Sequence, residues 1–581
     1  MRPRLKLICR FCVLALFGAF VCFLYVKVVR GGLYPVYPAA DFASLSAPGG
    51  RSHVEGDLIA QTETGKLKGT SVESAVAFMG IPFARPPVGQ SRWEAPQSAM
   101  PWTGVRDAAR PGPACTQPSA GLGVFLGPMA NVYGSRYAEP PVQSSEDCLY
   151  LNVWTPEWPP KHSLPVMVWL HGGNNEVGSG SQSMFSGVSL TARGVVLVTT
   201  NYRLGALGFF SHPELSAKSP HHSSGNYGLL DQIAALRWVR DNIAQFGGDP
   251  QNVTLFGESA GAIDSALLMT SPLAEGLFRR VISESGPVFA PHKTPPQAEA
   301  VGKSVGELAP GEAHRTSLER LRALPAAEVE KLVEPLKIQF AQSFTVDGWV
   351  LPQPPQNVFL NGSIQKVDLL IGHNGREFSG LRVMDAAKAK SPGKQKDDSP
   401  TMQDFVDFAR PCFGNWAKPV IALYLGDMLV RRTTGVDKAL SDLGFVCPIG
   451  ATAALTSDAG QRVYVYRFER SIPGKGEEEL GAFHSLEVPF VFGALHDPIW
   501  NWLPFTPEDA ALSNLIQTYW TNFAKSGNPN AQGLPIWPAW TGSKKEFLEI
   551  RKDATISAQR NFQPLFSSLS ADDLRGRTSR D

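Results

Sequence analysis

Residues 252–265 read NVTLFGESAGAIDS. An apolar, strand-like run stops at Gly257, Ser259 stands between Gly257 and Gly261, and a helix-like run leaves. Flanking glycines suit a sharp strand-to-helix turn. Lacking Cβ, they let neighbouring backbone crowd the serine and leave its Oγ free at the end of a sheet. The chemistry that fits is nucleophilic attack by Ser259. A serine hydroxyl is a weak nucleophile, so it needs a base, and the base needs an acid to orient it. On such a turn the chain order is Ser, then Asp or Glu, then His. Among the 11 histidines, His484 in GAFHSLEVPFVFG follows a strand-like run and lies in a Gly-containing loop. Glu377 in LLIGHNGREFSG falls just past a strand-like run, where α/β sheets put their working residues. Taken singly, each is more ordinary than that: a satisfied loop histidine and a surface carboxylate.

Attack on a carbonyl also needs donors for the negative charge that develops. MVWLHGGNNEVGSGS places His171-Gly172-Gly173 at the end of an apolar strand. Backbone N–H groups there can meet that charge, together with the N–H that follows the nucleophile, that of Ala260. A tight turn without this duty could have the same sequence.

These residues must be held by a frame, and the chain has one. The runs 165–170, 194–202, 252–256, 279–285, 366–372 and 462–469 look like buried strands. Residues 229–246 have helical periodicity and stop at Gly247-Gly248, and a long helix is expected over 507–525, before Gly527. Strands alternating with helices predict an α/β fold with a mostly parallel sheet covered on both faces. The 581 residues are 43% hydrophobic and 18% charged, ample for a large core. No composition break divides 57–567, so one catalytic domain is expected there. The net charge of +1, spread along the chain, gives no argument for a nucleic-acid or acidic partner. No internal repeat or low-complexity tract occurs.

The N-terminus differs. Residues 11–26 are uncharged and apolar, and Leu7 to Val29 would span a bilayer with Arg10 and Lys27 at its ends. No small-x-small cleavage site follows, so an uncleaved anchor over 1–30 is preferred to a cleaved signal. Basic residues before the span outnumber those after it, which predicts export of the bulk of the chain. Residues 31–56 then read as a flexible stalk and 568–581 as a disordered tail. Outside the apolar segment stand Cys115, Cys148, Cys412 and Cys447. An exported domain permits two disulfides among them, with three connectivities. Chain order favours Cys115–Cys148 and Cys412–Cys447.

With these segments in view, the chain from about 57 to 567 resembles the type-B carboxylesterase/cholinesterase family of α/β-hydrolases. FGGDPQNVTLFGESAG (Phe246 to Gly261) is similar to that family's active-site serine signature at every position, and EDCLYLNVWTP (Glu146 to Pro156) to its second signature. VAFMGIPFARPPVG, NYRLGALGFF, GNYGLLDQIAALRWVRDNIAQFGG and YWTNFAKSGNPN are also family-like, in phrasing nearest to bacterial members. The resemblance implies an α/β-hydrolase fold and ester hydrolysis through an acyl-enzyme. It implies Ser259 as nucleophile, Glu377 as acid and His484 as base, with N–H groups of Gly173, Asn174 and Ala260 as oxyanion hole. It implies a Cys115–Cys148 disulfide, and acidic positions lining the site at Glu258 and Glu487. No metal or cofactor is required, and the expected partner is a small-molecule or lipid-like ester. Amide or carbamate hydrolysis by the same residues is the neighbouring chemistry. A non-catalytic adhesion role is the alternative from another class, since the family includes such members, but they lose triad residues. Two positions depart from the pattern: Asn174 replaces the usual third glycine of HGGG, and Asp264 stands where a small residue is common. Asn tolerates left-handed backbone, so the oxyanion hole is expected to survive. Nothing in the sequence explains Asp264.

Overall fold

The computed structural model describes residues 53–559, without 55, 138–142, 290–291, 312–313, 315, 335–343, 390–405, 407–420, 423, 425–431 and 552–555. The expected anchor, nearly all of the stalk, and the tail lie outside these residues.

An 11-stranded sheet organises the domain. In chain order its strands are β1 (Thr70–Val72), β2 (Ala75–Pro82), β3 (Tyr150–Thr155), β4 (Leu164–Leu170), β5 (Val196–Thr200) and β6 (Gly248–Glu258). They continue with β7 (Arg280–Glu284), β8 (Asp368–Asn374), β9 (Val463–Phe468), β10 (Phe547–Ile550) and β11 (Ile556–Gln559). Across the sheet the order is β1-β2-β3-β5-β4-β6-β7-β8-β9-β10-β11. Every pairing from β5 to β10 is parallel. Those at the two edges are antiparallel. The expected central strands all form. The antiparallel edges were not expected: β1, β10 and β11 are short, and β2 carries Gly80 and Pro82, residues that argue against a strand.

Parallel strands buried on both faces should be rich in apolar residues, as β4 (LPVMVWL) is, and β5 (VLVTT) is buried throughout. Alternate residues of β4 point to opposite faces. Val166, Val168 and Leu170 join a core with Leu229, Ile233 and Leu236 of helix α1 (Tyr227–Asn242). Met167 and Trp169 join a second core, on the other face, with Leu515, Tyr519 and Trp520 of a C-terminal helix, Pro507–Ser526. Burying each such side chain stabilises the fold by roughly 1.5–3 kcal/mol, so the sheet is a rigid support for whatever stands at its strand ends. Helix α1 tightens into a 3₁₀ turn, Ile243–Phe246, before Gly247 ends it at φ 81°. Pro507–Ser526 starts with a Thr506–Asp509 capping box and ends at Gly527, φ 71°. Both stops fall at the glycines the sequence nominated.

Three more helices matter to the site: α2 (Ala260–Leu268), α3 (Glu377–Ala389) and α4 (Cys447–Asp458). Cys115 and Cys148 are joined, with Cα atoms 4.8 Å apart. Cys447 carries a free thiol, which departs from the expected pair with Cys412, a residue outside those described. Cys447 lies inside a continuous helical run, after the π-turn Asp442–Val446, and burial pushes its thiol well above the usual range.

Candidate active site

Four strand ends converge. β6 ends at Glu258, and Ser259 turns the chain into α2 at φ 54°, ψ −122°. A non-glycine residue in that region costs on the order of 1–3 kcal/mol, so the surroundings must enforce it. They do: the Ser259 N–H donates to the Glu284 carbonyl at 2.9 Å, and the Ser259 carbonyl accepts from the Ile263 N–H at 2.9 Å. The flanking glycines are needed for contact as well as for bending. A Cβ on Gly257 would lie 2.6 Å from the Gly261 carbonyl carbon and 2.7 Å from the Leu170 carbonyl oxygen. One on Gly261 would collide with the same Leu170 oxygen. Two turns are thus packed backbone to backbone, with the serine between them.

β8 ends at Asn374, and Glu377 opens α3 just beyond it. After β9 the chain returns to this loop: Arg376 bridges Phe483, and Asn374 Nδ2 donates to the Phe483 carbonyl at 2.8 Å. That lacing delivers His484. Its Nδ1 lies 2.6 Å from Glu377 Oε2 and its Nε2 2.8 Å from Ser259 Oγ. With the proton on Nδ1, the ring donates to the carboxylate and accepts from the serine hydroxyl. Glu377 is fully buried, and its other oxygen accepts from the Asn374 N–H at 2.6 Å and from Ser285 Oγ at 2.7 Å. Both carboxylate oxygens are therefore fixed before substrate arrives.

Further carboxyl groups crowd this chain of bonds. Glu258 Oε1 sits 3.2 Å from His484 Nε2 and accepts from Ser485 Oγ at 2.6 Å. Burial alone would discourage a charged ring, but the carboxylates of Glu258 and Glu377 outweigh it and raise the His484 pKa to about 9. Burial raises the pKa of Glu258, and it holds Glu487 well above the usual carboxylate range. Glu487 accepts from Asn374 Nδ2 and, at 3.5 Å, from Ser285 Oγ. The sequence singled out Glu258 and Glu487. It gave no reason to nominate Ser285, Asn374 or Ser485, whose side chains bond to groups distant in the chain.

The turn after β4 faces Ser259. Gly173, Asn174 and Asn175 have φ of 100°, 59° and 55°. A Cβ on Gly172 would lie 2.7 Å from Glu258 Oε2 and 3.2 Å from Ser259 Cβ, so only glycine lets this turn approach the serine. The Gly173 carbonyl accepts from the N–H groups of Glu176 (3.0 Å) and Val177 (3.1 Å). The Asn174 amide donates to Glu176 Oε1 at 2.8 Å. Opposite, the N–H of Ala260 belongs to the first turn of α2, where no intrahelical acceptor exists. Among the described residues no three His, Cys, Asp or Glu side chains gather as a metal site requires.

The arrangement can be compared with known proteins. The carboxylesterase family model matches residues 56–565. Para-nitrobenzyl esterase of Bacillus subtilis is 36% identical over 508 residues, covering 86% of this chain and 96% of that protein. Carboxylesterase 1D of Mus musculus is 34% identical over 563 residues, covering 91% of this chain and 95% of that protein. Among solved structures, a carboxylesterase of Geobacillus stearothermophilus superposes with a TM-score of 0.74 at 33% identity, covering 87% of this chain and 98% of that chain. Bacterial and mammalian relatives thus match to similar degrees. A chain that fits the family model along nearly its whole described length, and folds as such an enzyme does, belongs to the carboxylesterase family of α/β-hydrolases.

Proposed function

We propose that the protein hydrolyses carboxylic esters through an acyl-enzyme on Ser259. The observation that carries this is the unbroken chain of hydrogen bonds from Ser259 Oγ through His484 to Glu377, at 2.8 and 2.6 Å. Ser259 Oγ attacks the ester carbonyl while His484 Nε2 takes its proton. The tetrahedral oxyanion rests on the N–H groups of Gly173, Asn174 and Ala260. Collapse breaks the bond to the alcohol oxygen, which leaves with the proton from His484. A water, deprotonated by the same nitrogen, then attacks the acyl group, and the acid departs as Ser259 recovers its proton. Glu377 holds the tautomer and offsets the imidazolium charge. A panel of p-nitrophenyl esters of graded chain length, with amide and carbamate counterparts, tests the substrate class. Saturable ester turnover is expected; cleavage of amides or carbamates alone would move the reading to that neighbouring chemistry.

The backbone, not the side chain, of Asn174 should serve the oxyanion, since its amide is engaged by Glu176 and its φ is 59°. Asn174→Gly should keep most activity. Asn174→Ala should lose some, because alanine resists that φ. Asn174→Pro loses the donor and cannot adopt the angle, so it should cost about 3 kcal/mol or more of transition-state stabilisation. The check is kcat/KM of folded variants on one activated ester; a Gly variant as poor as the Pro variant would reassign the role to the side chain.

The pH profile supplies another test. Only neutral His484 can accept the serine proton, so kcat/KM should rise with pH as the ring loses its charge. The Glu258 carboxylate is one cause of the raised His484 pKa. Glu258→Gln keeps an acceptor for Ser485 but removes that charge, and should move the acid limb of the profile to lower pH. A limb that stays put or moves up would show that Glu258 does not set the histidine's charge.

A further inference from the structure

Asp264, one of the two departures from the family pattern, lies behind the oxyanion turn and bonds to Asn175, the neighbour of the other. Asp264 lies on α2, beyond Ser259, with 0% of its surface exposed. No cation faces it. Its carboxyl accepts instead from two amides, Asn175 Nδ2 at 3.1 Å and Gln232 Nε2 at 2.6 Å. Burial without a counter-charge raises its pKa to about 7. A carboxyl group in a helix core is costly, and these two amides offset that cost.

Asn175 is the residue after Asn174. Two successive residues at φ 59° and 55° are uncommon even for asparagine, which tolerates this region better than most residues, so the surroundings must hold the turn. The turn is anchored at both ends. At its start, the Tyr202 hydroxyl donates to the His171 carbonyl at 2.5 Å and the two rings stack with centroids 4.5 Å apart. At its end, the Asn175 carbonyl accepts from the Gly205 N–H at 2.6 Å, and the Asn175 amide reaches Asp264. That last bond differs from the others. The proposed oxyanion donors come from two segments: Gly173 and Asn174 from the turn, Ala260 from α2. Asp264 to Asn175 is a direct side-chain tie between those two segments. Donors of this kind must hold their spacing to within about 0.5 Å to be effective.

We infer that Asp264 is a positioning residue which, through its hydrogen bond to Asn175, fixes the oxyanion turn against the helix that carries the nucleophile. This rests on the serine-hydrolase reading above. Removing the tie loosens the turn without touching ground-state binding, so kcat falls and KM does not. Asn175→Gly is the clean probe, since glycine accepts the left-handed φ and lacks only the amide. Asp264→Ala removes the other partner. Asp264→Asn should rescue: its carbonyl still accepts from Asn175, and its amide can donate to Gln232 Oε1, which has no hydrogen-bond partner, once the Gln232 amide turns over.

The experiment measures kcat, KM and melting temperature on one p-nitrophenyl ester for Asn175→Gly, Asp264→Ala, Asp264→Asn and the Asn175→Gly/Asp264→Ala double variant. Each disruptive single variant should lose about 10- to 100-fold in kcat, with KM within about threefold and the double no worse than the poorer single. Asp264→Asn should stay within about threefold of the parent. Should Asp264→Ala fail to fold, Asn175→Gly decides alone. Unchanged kcat in Asn175→Gly, or losses that multiply in the double, overturns the inference and leaves Asp264 as a packing residue. Ser259→Ala is measured alongside. If it retains turnover, the serine-hydrolase reading fails; if it is inert and Asn175→Gly is unimpaired, the inference fails alone.

Discussion

Ser259→Ala should lose roughly 10⁴–10⁶ in kcat while the fold survives. Ser259 Oγ is 2.8 Å from His484 Nε2, on a turn held by backbone bonds and by glycines that leave no room for a Cβ. Deleting the hydroxyl leaves that frame intact and removes the atom that bonds to the acyl group. Alanine at φ 54° suffers the same strain as serine, so stability should change little. Residual turnover would come from the oxyanion donors acting on water. Purified variant protein with activity near the parent would show that another nucleophile does the work.

Glu377→Gln should cost on the order of 10⁴ in kcat. The reason lies in how the carboxylate is already committed. Oε1 accepts from a backbone N–H, that of Asn374, which cannot turn round, and from Ser285. A glutamine must keep its carbonyl there, which aims its amide N–H at His484 Nδ1. The ring would then carry its proton on Nε2 and present a donor to Ser259, the wrong tautomer for a base. Asp264→Asn makes the control, because that carboxyl does not face the histidine. If Glu377→Gln is near the parent while Asp264→Asn is dead, the acid has been misassigned.

Ser259 and Glu377 could be nominated from the chain because each sits at or just past the end of an apolar-looking strand, and His484 because it lies in a Gly-containing loop that follows one. β6 is buried from Val253 to Glu258, β8 from Leu369 to Asn374, and β9 at all but Arg467. Sequence could not show what fixes them. Asn374 and Glu487 lie 113 positions apart, Ser285 and Glu377 92 apart, and neither spacing carries a signal. Asp264 was opaque for the same reason, its partners lying 89 and 32 positions away. The antiparallel edge was missed where local rules conflict with the fold: β2 bends at Gly80, φ 65°, whose N–H is held by the Asn152 side chain. The helical run around Cys447 was missed because a π-turn breaks its period.

A covalent acyl-enzyme on Ser259 can be trapped. The purified protein is mixed with an excess of p-nitrophenyl ester, quenched in acid during turnover, and digested for peptide mass mapping. One acyl adduct is expected, on the peptide that carries Ser259, decaying at the rate of turnover once ester is exhausted. Turnover with an adduct on a different residue, or with Ser259 unmodified at every quench time while a slow-deacylating ester is being consumed, would contradict it.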